Sequence, residues 1–148
     1  MKLAADAEIT VPFHDLDPVN IVWHGHYAKY LEVARDELMN RIGYSHAEML
    51  ASGYVWPVVE MRLRYLQPAR LRQRLRVRAS IVEYDDRLKI AYEVFDAASG
   101  RRLTRAYTVQ VPVRADTGEL LFATPPVLRE KIAAALAGAA NADAERRG

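Results

Sequence analysis

An α+β fold, one antiparallel sheet laid against a long amphipathic helix, is the class this sequence predicts. Two observations carry it. Between positions 24 and 41 apolar side chains recur at three- and four-residue steps, the period of a helix with one buried face. From Val55 onward the period falls to two, through stretches separated by turn residues, as hairpin-linked strands require. The element order is strand, long helix, short helix, then four strands. Such an order buries its apolar surfaces when a twisted sheet packs on the helix as a second layer.

Residues 7–14 (AEITVPFH) form the first expected strand, and Pro12, which cannot donate to a ladder, assigns it to an edge or a bulge. Residues 15–23 (DLDPVNIVW) open with turn chemistry and close on an apolar triplet. The long helix, His24 to Arg41, buries Tyr27, Tyr30, Leu31, Ala34, Leu38 and Ile42. It turns Lys29, Glu32, Arg35 and Asp36 outward and stops at Gly43. Ser45-His46-Ala47-Glu48 reads as a capping box for a second, short helix ending near Gly53. Strands are expected at 55–67, 71–84, 87–96 and 102–113. Asp85-Asp86 and Ala97-Ala98-Ser99-Gly100 are the turns between the last three, and Asp116-Thr117-Gly118 ends the last. A short helix, 126–138, follows Pro125, and 139–148 is expected to fray. With no internal repeat and no Gly-, Ser- or Pro-rich linker, residues 1–148 read as one domain with its core at about 8–138.

The chain has 148 residues, 51% hydrophobic and 27% charged, with formal charge +2, which is the composition of a globular protein with a substantial core. It contains no cysteine, which removes disulfides, thiolate metal sites and cysteine nucleophiles. Neither an apolar leader nor an apolar run of eighteen residues stands in the sequence, so a cytoplasmic protein that does not enter a membrane is expected.

Few groups are available for chemistry. There is no G-x-S-x-G nucleophile turn, no G-x-G-x-x-G and no P-loop. His24 and His26, two apart, point to different faces of a helix and do not chelate a metal together, so no metal and no cofactor is expected. What remains is Asp15 to Glu32. Asp15 and Asp17 stand in a loop that leads into a helix N-terminus, stiffened by Pro18, and the same Asp-x-Asp-Pro run also serves as ordinary turn chemistry.

The stretch FHDLDPVNIVWHGHYAKYLEVAR resembles the signature of hotdog-fold acyl thioesterases of the 4-hydroxybenzoyl-CoA thioesterase type and their Tol–Pal-associated relatives. The matching parts are Asp15 and Asp17, Ile21-Val22-Trp23, His24-Gly25-His26, Tyr27, and Glu32-Val33-Ala34-Arg35. The strand order downstream agrees, and the resemblance covers about residues 8–130. It implies a hotdog fold, an antiparallel five-stranded sheet wrapped around a long central helix. It further implies hydrolysis of an acyl-CoA or acyl-carrier-protein thioester by a homodimer or homotetramer, with residues near Val58 to Arg64 of a partner lining the site. Asp17 would be the catalytic carboxylate, acting as nucleophile or as general base on water. The backbone N–H of His24 would face the thioester oxygen, helped by the His24 side chain, with Gly25, Trp23 and Tyr27 around the substrate. The Tol–Pal-associated branch carries a tyrosine where this chain has Phe13, and glycines where it has Pro18-Val19-Asn20. Pro18 and Ile21-Val22-Trp23 match the hydroxybenzoyl-CoA branch, which lacks the histidine. Glu32 competes as a catalytic acid, but Arg35 lies in salt-bridge register and gives it a structural role. A hotdog dehydratase or hydratase and a non-catalytic acyl-binding module are the alternatives.

Arg70, Arg72, Arg74, Arg76 and Arg78 alternate along one strand face, opposite Leu71, Leu75 and Val77, with Arg62 and Arg64 on the preceding strand. Two readings stand: a solvated outer face, or an anion surface for coenzyme A or an acidic carrier protein. Arg62, Arg64, Arg87 and Lys89 are the candidates for that second role, the last two by resemblance. No aromatic platform interleaves the arginines, so nucleic acid is not an expected partner.

Overall fold

The computed structural model describes residues 3–147, and its elements follow from the sequence with a few instructive shifts. β1 (Ala4–Thr10) ends before Pro12, where the missing donor stops the ladder and a 3-10 turn, Phe13–Asp15, takes over. The strand therefore lies earlier than expected, at an edge. The long helix begins three residues later than its expected start. His24–His26 form a 3-10 turn, and α1 runs Tyr27–Arg41. Gly25 disfavours α-helix at that point. Each apolar position assigned to the buried stripe is buried, from Tyr27 to Ile42, and Gly43 closes the helix at φ 75°. α2 (His46–Ser52) is capped as expected, the Glu48 N–H donating to Ser45 Oγ at 3.3 Å.

The strand expected at 55–67 is split. Tyr54–Val55 (β2) pairs with Val113–Arg114 (labelled β7, after β3 to β6 below) in a separate two-stranded ribbon, and Pro57 separates it from β3 (Val58–Tyr65). β4 (Arg74–Glu83), β5 (Leu88–Asp96) and β6 (Arg102–Gln110) form the expected meander. The main sheet is five-stranded and antiparallel, in the order β1-β4-β5-β6-β3. Sequence order alone does not show that β3 leaves its neighbour β4 to pair with β6 at the far edge, with Leu63 opposite Ala106.

One sheet face carries Leu75, Val77, Ala79, Ile90, Tyr92 and Val94, all buried, and α1 packs on it against β1 and β4. Each large apolar side chain buried here stabilises the fold by about 1.5–3 kcal/mol. α3 (Pro126–Arg147) buries Leu128 and Ile132 and ties to α2 through Lys131 and Glu48 at 2.9 Å. It is longer than the expected 126–138. Residues 139–147 are helical rather than frayed, as the Ala-rich run favours, while Gly148 lies outside the described residues. Among the described residues no helix is long and apolar enough to cross a membrane.

The arginine ladder is shorter than its sequence pattern. Arg72 sits at φ 60°, and its N–H donates to the Val11 carbonyl, so β4 starts only at Arg74. Arg70, Leu71 and Arg72 belong to the turn before it, and Leu71 is exposed rather than inward-facing. Along β4 the remaining arginines meet acids of β1: Arg74 with Glu8 at 3.2 Å, and Arg78 with Asp6 at 2.9 Å. Arg76 stacks on Phe95 with its guanidinium 4.9 Å from the ring centre.

Candidate active site

The loop between β1 and α1 is folded back on itself. Leu16 bridges to Val22, Ile21 bridges to Arg70, and the Asp17 N–H donates to the Ile21 carbonyl at 2.8 Å. Asn20, at φ 66°, takes the left-handed conformation that Asn tolerates and lets the chain reverse directly after Pro18. The Asp17 side chain closes this turn from inside. Its Oδ1 accepts the N–H groups of Val19 at 2.9 Å and Ile21 at 3.3 Å. Its Oδ2 makes no hydrogen bond among the described residues.

Asp17, Ile21, Val22, His24, Tyr27 and Tyr65 line a cavity of about 370 Å³, closed on the other side by Leu66, Gln67 and Pro68. The structure thus brings together Asp17, His24 and Tyr27 of the residues singled out from sequence. The turn that starts at His24 heads α1, and its first N–H groups, those of His24 and Gly25, have no acceptor within the turn. His24, which starts that turn, and Tyr27, the first residue of α1, line the same cavity as Asp17. Tyr65 has no role in the sequence reading beyond its place in a strand. Its hydroxyl donates to the His24 carbonyl at 2.7 Å, and its ring meets Tyr27 edge-on at 5.0 Å, so the end of β3 is fastened to the turn at the head of α1. Nothing local marks this contact, because the residues lie 41 apart in sequence.

Trp23 and Gly25 do not line this cavity. The Trp23 indole lies over Gly25, tilted against His24 at 5.1 Å and edge-on to His26 at 5.3 Å. A Cβ on Gly25 would stand 2.3 Å from that ring. Gly25 therefore leaves the space that the indole occupies. Gly25→Ala is expected to push Trp23 outward and destabilise the fold by about 1–3 kcal/mol. A thermal melt reads the loss, and Trp23→Ala in the same chain should recover part of it. Phe13 also stays outside the cavity and is largely exposed.

Asp15 is a buried carboxylate, 1% exposed, to which sequence gave no role beyond the motif and turn chemistry. Its carboxyl accepts Lys29 Nζ at 2.8 Å and the Tyr30 hydroxyl at 2.6 Å, and the Nε2 atoms of His14 and His26 stand 3.8 Å away. Burial pushes its pKa up. The hydrogen bonds from Lys29 and Tyr30 and the charges of Lys29 and His26 outweigh that and hold it below the ordinary carboxylate value. Burial and the neighbouring carboxylate push the Tyr30 hydroxyl far up. A depressed folded pKa gives stability that is complete above the unfolded value of about 4 and is lost as pH falls through the folded one. Denaturant melts at pH 7 and pH 3 should show this loss, and Asp15→Asn should flatten it.

The basic candidates are elsewhere. Arg62, Arg64, Arg102 and Arg105 surround a concavity of about 570 Å³ with Tyr107 on the sheet face turned away from α1. Arg102 pairs with Glu93 at 3.1 Å, whereas Arg62, Arg64 and Arg105 form no ion pair among the described residues. Arg87 is tied to Glu83 at 3.1 Å, and Lys89 lies 4.4 Å above the Tyr107 ring. None of the four anion candidates lines the Asp17 cavity. Glu32 pairs with Arg35, three residues on along α1, and lines a different cavity with Met39 and Trp56.

The five-stranded antiparallel sheet packed on one long helix is the hotdog fold, the scaffold of a class of acyl thioester hydrolases. This chain belongs to the thioesterase-like superfamily, whose model matches residues 11–136. The protein sll0410 of Synechocystis sp., provisionally named an esterase, is 29% identical over 125 residues, covering 84% of this chain and 75% of that one. The acyl-CoA thioester hydrolase YbgC of Escherichia coli is 29% identical over 73 residues, 49% of this chain and 54% of that one. The crystal structure of the DHNA-CoA thioesterase from Staphylococcus aureus superposes with a TM-score of 0.79 at 24% identity, covering 90% of this chain and 91% of that chain.

Proposed function

We propose that this chain is a cytoplasmic acyl-CoA thioesterase in which Asp17 is the catalytic carboxylate. One observation carries the reading: Asp17 offers an anchored oxygen and an unbonded one inside a cavity that also holds the N-terminal turn of α1. The anchored Oδ1 fixes the carboxylate's direction. Oδ2 either attacks the thioester carbon, expelling the thiolate and forming a mixed anhydride that water then opens, or takes a proton from the water that attacks it. In both cases the carbonyl oxygen gains negative charge, and the His24 N–H and the helix dipole stabilise it. The His24 side chain, at the cavity wall, binds the water. Tyr27 and Tyr65 hold the acyl group against Ile21 and Val22. The name of the relative YbgC supports coenzyme A as the thiol. Arg62 and Arg64, which no acid neutralises as Asp6 and Glu8 neutralise the β4 arginines, attract its phosphates or an acidic carrier protein.

The working form is a homodimer joined at β3. Among the described residues that strand pairs with β6 alone, so its outer edge has free N–H and C=O groups. It also exposes Val58, Val59, Met61 and Tyr65, which an edge facing water does not favour. The opposite edge, β1, is guarded by Asp6 and Glu8 and by Arg41 on the Ala4 carbonyl at 2.8 Å. A strand that pairs antiparallel with its own copy satisfies both edges by two-fold symmetry. It also brings the partner's residues from Val58 to Arg64 beside α1.

Thiol release from a panel of acyl-CoAs, aromatic, short and long, tests the function. Release of thiol with free acid as co-product is expected for at least one member. Binding without turnover would favour an acyl-binding module, and a hydrated or dehydrated acyl chain with the thioester intact would favour a hydratase.

A further inference from the structure

We propose that Asp15 is a positioning residue for the catalytic turn, setting the distance between the Asp17 carboxylate and the N–H groups at the head of α1. The inference rests on the assignment of Asp17 as the catalytic carboxylate.

A buried carboxylate is expensive unless donors surround it. Asp15 gathers its donors from one place. Lys29 and Tyr30 come from the first turn of α1, at 2.8 and 2.6 Å, and His26 from the 3-10 turn before it, at 3.8 Å. His14, on the Asp15 turn itself, completes the surroundings at 3.8 Å. The backbone carbonyl of Asp15 accepts the Trp23 N–H at 2.9 Å. One residue thus holds both the chain directly before His24 and the helix directly after it.

Asp17 lies inside the loop that these bonds close. Leu16 bridges to Val22, and the Asp17 N–H donates to Ile21. Any movement of Asp17 away from the turn at His24 must break one of these links or one of the Asp15 contacts. The cavity fixes what the arrangement serves. Asp17 and His24 line it, whereas the Asp15 carboxylate is buried and does not reach it. Asp15 therefore works through its neighbour and not on the substrate. Misplacing a reacting group by about 1 Å costs roughly 100-fold in rate, so this link has a kinetic signature.

The test measures kcat and KM for Asp15→Asn and Tyr30→Phe, each alone and in an Asp17→Asn background, together with thermal melts of all the proteins. Tyr30→Phe keeps the Lys29 contact and the packing of the ring, and gives the same reading should Asp15→Asn not fold. Each single change is expected to lower kcat roughly 10- to 100-fold with a smaller effect on KM. In the Asp17→Asn background neither should lower the residual rate further, while the shift in melting temperature persists. An unchanged kcat in the folded variants, or a loss that multiplies with that of Asp17→Asn, overturns the positioning role. Asp17→Asn at the wild-type rate is a separate result, read from that variant alone. It overturns the assignment of Asp17 and this inference with it.

Discussion

Asp17→Asn will lower kcat for thioester hydrolysis by about 10²- to 10⁴-fold, the range that removal of a general base or nucleophile costs. Asparagine keeps the shape and can still accept the Val19 and Ile21 N–H groups, which the structure places at 2.9 and 3.3 Å from Oδ1. The turn should therefore survive, and the melting temperature should move little. What is lost is the charge on the second oxygen, and with it the capacity to attack carbon or take a proton. KM should change far less than kcat, because the apolar walls and the N–H groups of the turn are left in place. Steady-state kinetics beside a thermal melt separates this outcome from simple unfolding.

Met61→Asp is expected to dissociate the proposed dimer and abolish activity with it. Met61 faces the same side as the buried Thr108 to which it is paired, on the strand that offers its outer edge to a second copy. It is half-exposed in the single chain, so a carboxylate there reaches water and the monomer still folds. Inside such a dimer the same carboxylate would be desolvated without a partner, at a cost of several kcal/mol. Each 1.4 kcal/mol is a tenfold change in affinity, so a shift of more than 100-fold in the dissociation constant is expected. Sedimentation over a concentration series should show a monomer where the wild type is a dimer. A Met61→Asp protein that stays dimeric would move the interface away from β3.

The parts of the molecule that sequence made legible are those set by neighbours a few residues away. The buried stripe of α1, the Ser45 cap and the meander of β4, β5 and β6 follow from local spacing, and the gathering of Asp17, His24 and Tyr27 is what the resemblance implied. What was hidden depends on distant partners. The pairing of β3 with β6 is settled by the closure of the sheet, and no turn between the two marks it. Asp15 and Asp17 look alike in sequence. The resemblance singles out Asp17, and the physical difference is seen only in the fold, where Lys29 and Tyr30, 14 and 15 residues on from Asp15, cover that carboxylate and leave Asp17 lining a cavity. The arginine ladder read two arginines too long at its start because period two alone does not reveal that Arg72 adopts a positive φ. Trp23 belonged to the motif by position, yet its ring folds over Gly25 and away from the cavity.

The most direct measurement is the rate of thiol release from the best acyl-CoA of the panel, wild type beside Asp17→Asn, with both proteins folded and dimeric. A rate reduced by at least about 10²-fold in the variant is the predicted result. Equal rates, or no thiol release by the wild type from any acyl-CoA, would contradict the role given to Asp17.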